Sequence, residues 1–144
     1  MKEKTRLVVN RLFSVLSGVI AGILVISLFE SISMNMHPFP DGLDSTNRTD
    51  FISYINTLPS SAFILVLSGH ALGGLLGGFV TSKMAKIQKL GAAIYTGLIL
   101  LAATVLNLLG FPHPIWFSVI DIILPVTMAW LGFKIQAQLF NSKA

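Results

Sequence analysis

Three ionisable side chains and one amide sit inside otherwise apolar runs of this chain: Glu30, His70, Asp121 and Asn107. A group that titrates within a hydrocarbon environment is costly, so each is first read as a candidate for function. Together a glutamate, an imidazole, an aspartate and an asparagine could hold an ion or a small polar molecule. Counting helical rise, Glu30 falls about one turn below the outer end of its run, Asp121 about 9 Å and His70 about 12 Å below the start of theirs. Asn107 is near the outer end of its own. All four occupy one half of the apolar depth. The other half offers Ser14, Ser17, Tyr95, Thr96 and Thr127, none of them charged near neutral pH. That asymmetry describes a polar pocket reached from outside and closed below, and argues against a proton or ion wire, which needs relay groups at every depth. Pro125 adds to the Asp121 level, because its missing N–H frees the backbone carbonyl four residues earlier. Asp121 could then bind a cation or water, or simply bond Asn107, Ser118 or His70 across the bundle.

Other chemistry is weaker. His37, His113, Asp41 and Asp44 supply imidazole and carboxylate near the same side, but no pair stands at the i, i+4 spacing of a helical metal site. Ser68 and His70 are two residues apart on a helix and point in different directions, which defeats a nucleophile–base pair. Glu30 and Asp121 are offset by about a turn, whereas a proton-sharing carboxylate dyad needs one depth. No cysteine is present, which removes disulfides, thiolate nucleophiles and cysteine-based metal centres. The pattern points away from catalysis and implies no cofactor.

The elements that position these groups follow from charge economy. Of 144 residues, 53% are hydrophobic and 11% charged, against about 25% charged in soluble domains. A soluble enzyme, a disordered tail and a nucleic-acid module are excluded. Four stretches meet the length of about 20 apolar residues needed to cross a bilayer: 12–33, 62–80, 90–109 and 115–133. The expected fold is an all-α membrane protein, a single domain over 1–144 with four transmembrane helices in an antiparallel bundle. Nine of the ten basic residues, among them Lys2, Lys4, Arg6, Arg11, Lys83, Lys86, Lys89, Lys134 and Lys143, flank one side, and only Arg48 the other. The positive-inside rule then puts both termini in the cytoplasm. Trp116 and Trp130 suit interfacial anchors. The extracytoplasmic loop, 34–60, begins with turn chemistry around Pro38, Pro40, Asp41 and Gly42. It continues with Phe51, Ile52, Tyr54, Ile55 and Leu58 at helical spacing, so a short amphipathic helix is expected there behind a Thr49/Asp50 cap. Asn47-Arg48-Thr49 also matches a glycosylation sequon.

Small residues four apart allow close helix approach in lipid. Gly18 and Gly22 form such a stripe with Ser14; Gly69, Gly73 and Gly77 form another, with Gly74 and Gly78 beside it; Gly97 follows Ala93. The second span is the expected hub: its glycines serve packing inside the monomer or, on a spare face, a homo-oligomer or a larger membrane complex. Two readings result. The first is a non-enzymatic packing, accessory or assembly subunit; the alternative is a small binding or transport protein using the pocket of Glu30, His70, Asn107 and Asp121.

The runs His37-Pro-Phe-Pro-Asp-Gly-Leu-Asp44, Tyr54-Ile-Asn-Thr-Leu-Pro59, Gly73-Gly-Leu-Leu-Gly-Gly78 and Pro112-His-Pro-Ile-Trp-Phe117 resemble a family of small, uncharacterised four-span bacterial inner-membrane proteins. The resemblance covers nearly the whole chain and implies architecture and location, with no activity attached. It also implies an aromatic residue at position 70, which shifts weight from His70 to the outer loop and to His113–Trp116.

Overall fold

The computed structural model describes residues 2–141; Lys143, counted above among the basic flanks, lies outside them. The described residues form five helices and no strand: α1 (Lys2–Met36), α2 (Arg48–Thr57), α3 (Ser60–Met84), α4 (Lys89–Gly110) and α5 (Ile115–Asn141). All but α2 are long and apolar enough to cross a membrane. Both α1 and α5 run well past the apolar stretches that reveal them. Hydropathy marks where charge begins, whereas backbone hydrogen bonding continues through residues 2–11 and 134–140 because neither segment contains a Pro or Gly to break the helix. At 35 residues, α1 is about 52 Å long.

Prolines set the breaks. Pro38 and Pro40 follow α1, Pro59 caps α3, and Pro112 and Pro114 separate α4 from α5. The cap of α2 is Asn47 rather than Thr49 or Asp50: its side-chain oxygen accepts from the N–H groups of both those residues, since only the residue before the helix can reach the second and third orphan donors. The sequon asparagine is therefore a capping residue.

Packing centres on α3, which contacts α1, α4 and α5, while α1 and α5 do not pack together among the described residues. Along α1 and α3 the small residues meet with opposed numbering. A Cβ on Gly18 would lie 2.5 Å from the Gly77 carbonyl, one on Gly22 2.9 Å from that of Gly73, and one on Gly69 2.5 Å from Phe29 Cβ. The α3–α5 seam instead keeps a constant offset of 51 residues: His70 meets Asp121, Gly74 meets Pro125, and Gly78 meets Ala129. Two helices that run the same way thus pack closely through small residues. Gly97 of α4 closes on Pro125 and Val126, and Thr81 and Thr96 share a buried hydroxyl bond of 2.7 Å between α3 and α4.

At the end carrying residues 37–59 and 111–114, here the loop end, α2 lies over an aromatic cluster. Tyr54 and Ile55 are buried with Phe63, Leu67 and Phe117, and Phe39, Phe51 and Phe111 pack around them. Two polar staples hold it: the Tyr54 hydroxyl donates to the His37 carbonyl at 2.5 Å, and Arg48 Nη2 donates to the Gly110 carbonyl at 3.0 Å, where the C-terminal dipole of α4 favours a cation. Burial pushes the Tyr54 phenol above its usual 10.0. The neutral phenol is the form the fold prefers, so its contribution is complete below about pH 10 and is lost as pH rises from there through the raised value. Tyr54→Phe should cost about 1 kcal/mol at neutral pH and flatten the alkaline loss of loop structure, read by amide exchange in residues 48–57. An unchanged alkaline transition in the variant would assign it to another group.

Candidate functional site

Three helices deliver the ionisable residues to one place. Glu30 comes from α1, His70 from α3 and Asp121 from α5. The imidazole lies between the carboxylates, with Nε2 3.8 Å from Glu30 Oε1 and Nδ1 hydrogen-bonded to Asp121 Oδ1. An ionised carboxylate only accepts, so Nδ1 carries the proton in that bond. Exposure falls along the row: 44% for the Glu30 side chain, 5% for His70 and none for Asp121. The second Asp121 oxygen, Oδ2, is buried with no hydrogen-bond partner among the described residues. Of the partners open to Asp121 in the sequence, the structure selects His70.

Beside Glu30 is a cavity of about 210 Å³ at the loop end, whose walls include Tyr54, Phe63, Asn107, His113 and Phe117. Its lining contains no lysine or arginine. The four residues expected to share one pocket are thus divided: Glu30 and Asn107 line the cavity, while His70 and Asp121 sit behind Glu30, out of its lining. Nothing in the sequence marks the aromatic walls. Phe63 and Phe117 stand in apolar runs where nothing separates a cavity-lining ring from a lipid-facing one; the ring stacking of His113 on Phe117, 5.0 Å and 11° apart, is a tertiary fact.

The other imidazoles and carboxylates stay with their own segments. His37 Nδ1 is 3.2 Å from the Ser33 carbonyl and His113 Nδ1 2.9 Å from that of Phe111. Asp44 accepts from the Thr46 hydroxyl and N–H, which together hold its carboxyl below the usual 3.8. Among the described residues no group of three or more His, Asp or Glu could hold a metal ion, so His37, His113, Asp41 and Asp44 do not converge as one site.

Polar residues at the opposite, basic end exceed the set read from the sequence. Thr81, Ser82 and Gln136 are buried there as well, because α3 and α5 continue past residues 80 and 133. None of them is ionisable. The glycine stripes of α3 have both found partners within the chain: Gly69, Gly73 and Gly77 against α1, Gly74 and Gly78 against α5. Both glycine faces of α3 are occupied within the chain.

Fold and site together define an all-helical chain with four helices long enough and apolar enough to cross a membrane and a carboxylate-floored aromatic cavity at one end. No protein-family model, curated protein or solved structure matches it.

Proposed function

We propose that this is a non-enzymatic, multi-pass protein of the bacterial inner membrane, with both termini cytoplasmic, that binds a small organic cation from the outer side. Membrane placement is supported by the apolar exterior, where Leu12, Leu24, Leu106 and Ile115 are each more than 60% exposed, a surface that suits lipid and not water. The charge tally orients it: with the basic flanks inside, the loop end faces out, and consecutive spans alternate direction as an antiparallel bundle requires.

The observation that carries the binding reading is the charge balance of the cavity. Glu30 and Asp121 flank the His70 imidazole, and no lysine or arginine lines the walls, where His113 is the one imidazole. Two carboxyl groups against one imidazole leave the row acid-rich. An ammonium group meeting Glu30, with its carbons against Phe63, Phe117 and Tyr54, satisfies both the charge and the aromatic faces. At about 210 Å³ the space is below the 300–1,000 Å³ or so of drug-sized sites, so the cation is small. Among the described residues the buried polar side chains toward the basic end, Ser14, Thr81, Ser82, Thr96 and Gln136, include no ionisable group, which supports a binding cup rather than a conduit. The assembly reading rested on a spare glycine face of α3, and that face is covered within the chain.

The test is thermal unfolding in detergent with a series of primary and quaternary alkylammonium ions, each set against the neutral alcohol of the same shape. A cation at about 100 times its dissociation constant should add about 2.7 kcal/mol of stability, and Glu30→Gln should abolish the gain. Equal stabilisation by the alcohols, or a gain that survives Glu30→Gln, would remove the site.

A further inference from the structure

A second cavity lies at the other end of the molecule, between α1 and α4, with a volume of about 660 Å³. It runs from Val8 to Val19 on α1 and from Gln88, the cap of α4, to Ile99 on that helix. Eleven helical steps on each wall give it a length of about 16 Å along the helices, of which the eight steps from Arg11 to Val19, about 12 Å, lie inward of the guanidinium; one leaflet is roughly half of a hydrocarbon core about 30 Å thick. Its walls are aliphatic, and its mouth is basic.

Arg11 stands at that mouth in a fixed pose. It donates through Nη1 to the Gln88 side-chain oxygen, and its guanidinium carbon lies 5.0 Å from the centre of the Tyr95 ring. Gln88 holds its place with φ 47° and ψ 45°, a left-handed conformation uncommon for a residue other than glycine. The segment bearing it is tied to α1 by the Lys86 N–H, which donates to Asn10 Oδ1 at 2.9 Å. Yet the charge of Arg11 is not neutralised: no carboxylate among the described residues lies within 4.0 Å of it. One of its five N–H donors goes to a neutral amide, and an anion's oxygens suit the rest.

The geometry points to a binding site for an anionic phospholipid of the inner leaflet, its phosphate on Arg11 and one acyl chain along the cavity. Basic pockets between helices on the cytoplasmic side take such headgroups; here the aliphatic walls inward of Arg11 add the tail. A helix from a second copy fits less well. A segment 10 Å across and 16 Å long fills about 1,300 Å³, twice the space available.

This inference rests on the membrane placement proposed above and not on the cation cup. Resistance of the membrane-bound protein to alkaline carbonate extraction tests placement separately. The lipid site is tested by native mass spectrometry and thermal unfolding of the full chain in detergent with added phosphatidylglycerol, phosphatidylcholine or acyl-free glycerophosphoglycerol. Phosphatidylglycerol should be retained and should stabilise at about tenfold lower concentration than phosphatidylcholine, and Arg11→Gln should erase that ratio, the size expected when one charge-assisted contact is lost. Lys86→Gln should leave the ratio within about twofold, since a surface lysine supplies only screened attraction. The acyl-free compound should do nothing. Equal response to both phospholipids in the wild type needs no variant to overturn the proposal. So would an unchanged preference in Arg11→Gln, a full effect from the acyl-free compound, or a dimer that excludes lipid.

Discussion

Replacing Gly78 by alanine is expected to destabilise the protein by about 3 kcal/mol, at the upper end of the usual overpacking range. The added methyl would lie 2.1 Å from the Ala129 carbonyl oxygen and 2.5 Å from Ala129 Cα, whereas non-bonded carbons settle at about 3.5–4.0 Å. Both obstacles are backbone atoms, so no side-chain rotation relieves the clash and α5 as a whole has to retreat. Retreat loosens everything on the same seam: Gly74 against Pro125 one turn up, and His70 against Asp121 a turn beyond that. Gly132→Ala, facing the Leu75 carbonyl at 2.1 Å from the other side of the seam, should behave alike. The control is Gly110→Ala, whose Cβ meets nothing within 4 Å and should stay within about 0.5 kcal/mol of wild type. Thermal or denaturant unfolding in detergent reads the difference. A Gly78→Ala protein as stable as Gly110→Ala would mean that α3 and α5 are not in backbone contact.

The glycine seam also shows what a sequence discloses and what it withholds. Repetition at four residues places Gly69, Gly73 and Gly77 on one face and Gly74 and Gly78 on the next, because periodicity is a property of one helix. Which neighbour each face meets is a property of two. The parallel sense of α3 and α5 follows from four alternating spans, but that the two pack together at an offset of 51 residues, leaving no free glycine face on α3, was outside the reach of any count. The same division holds at the loop end. Glu30, His70 and Asp121 stand out as ionisable groups in apolar runs, and their placement in one half of the apolar depth follows from helical rise. Their linear order, with the imidazole between two carboxylates and the cavity stopping at Glu30, depends on side-chain directions. Phe63 and Phe117 were invisible for the opposite reason, being apolar among apolar neighbours. Arg11 was legible only as a count toward sidedness; its pose on Gln88 and Tyr95 joins residues 77 and 84 positions away. Helices outrun the apolar spans where charge and backbone bonding part company, as at residues 2–11, and the α2 cap lies two residues ahead of Thr49, because Asn47 stands before the amphipathic pattern begins.

Removing the Asp121 carboxylate should have the largest effect of any change at the site itself, and the kind of replacement decides how large. Asp121 is wholly buried and its partner nearly so. Asp121→Ala leaves the His70 Nδ1–H without an acceptor in a space that water does not reach. Breaking one side of a buried ion pair costs about 3–5 kcal/mol, and about 1–3 kcal/mol if the imidazole responds by becoming neutral. Asp121→Asn keeps an acceptor for Nδ1–H, and puts its amide where Oδ2 already lacks a partner, so about 1 kcal/mol is expected. The double replacement His70→Phe with Asp121→Leu removes both polar groups and refills the seam with apolar volume. Exchanging a buried pair for hydrophobic residues is often neutral or stabilising, so the double variant should be more stable than Asp121→Ala despite carrying one more change. That inversion is the diagnostic, because independent contributions would simply accumulate. Measured by unfolding in detergent, a double variant weaker than Asp121→Ala would show that the two side chains act separately. Recovery would instead place the whole penalty on the stranded imidazole, and leave Glu30 as the one charge that the cavity presents to a ligand.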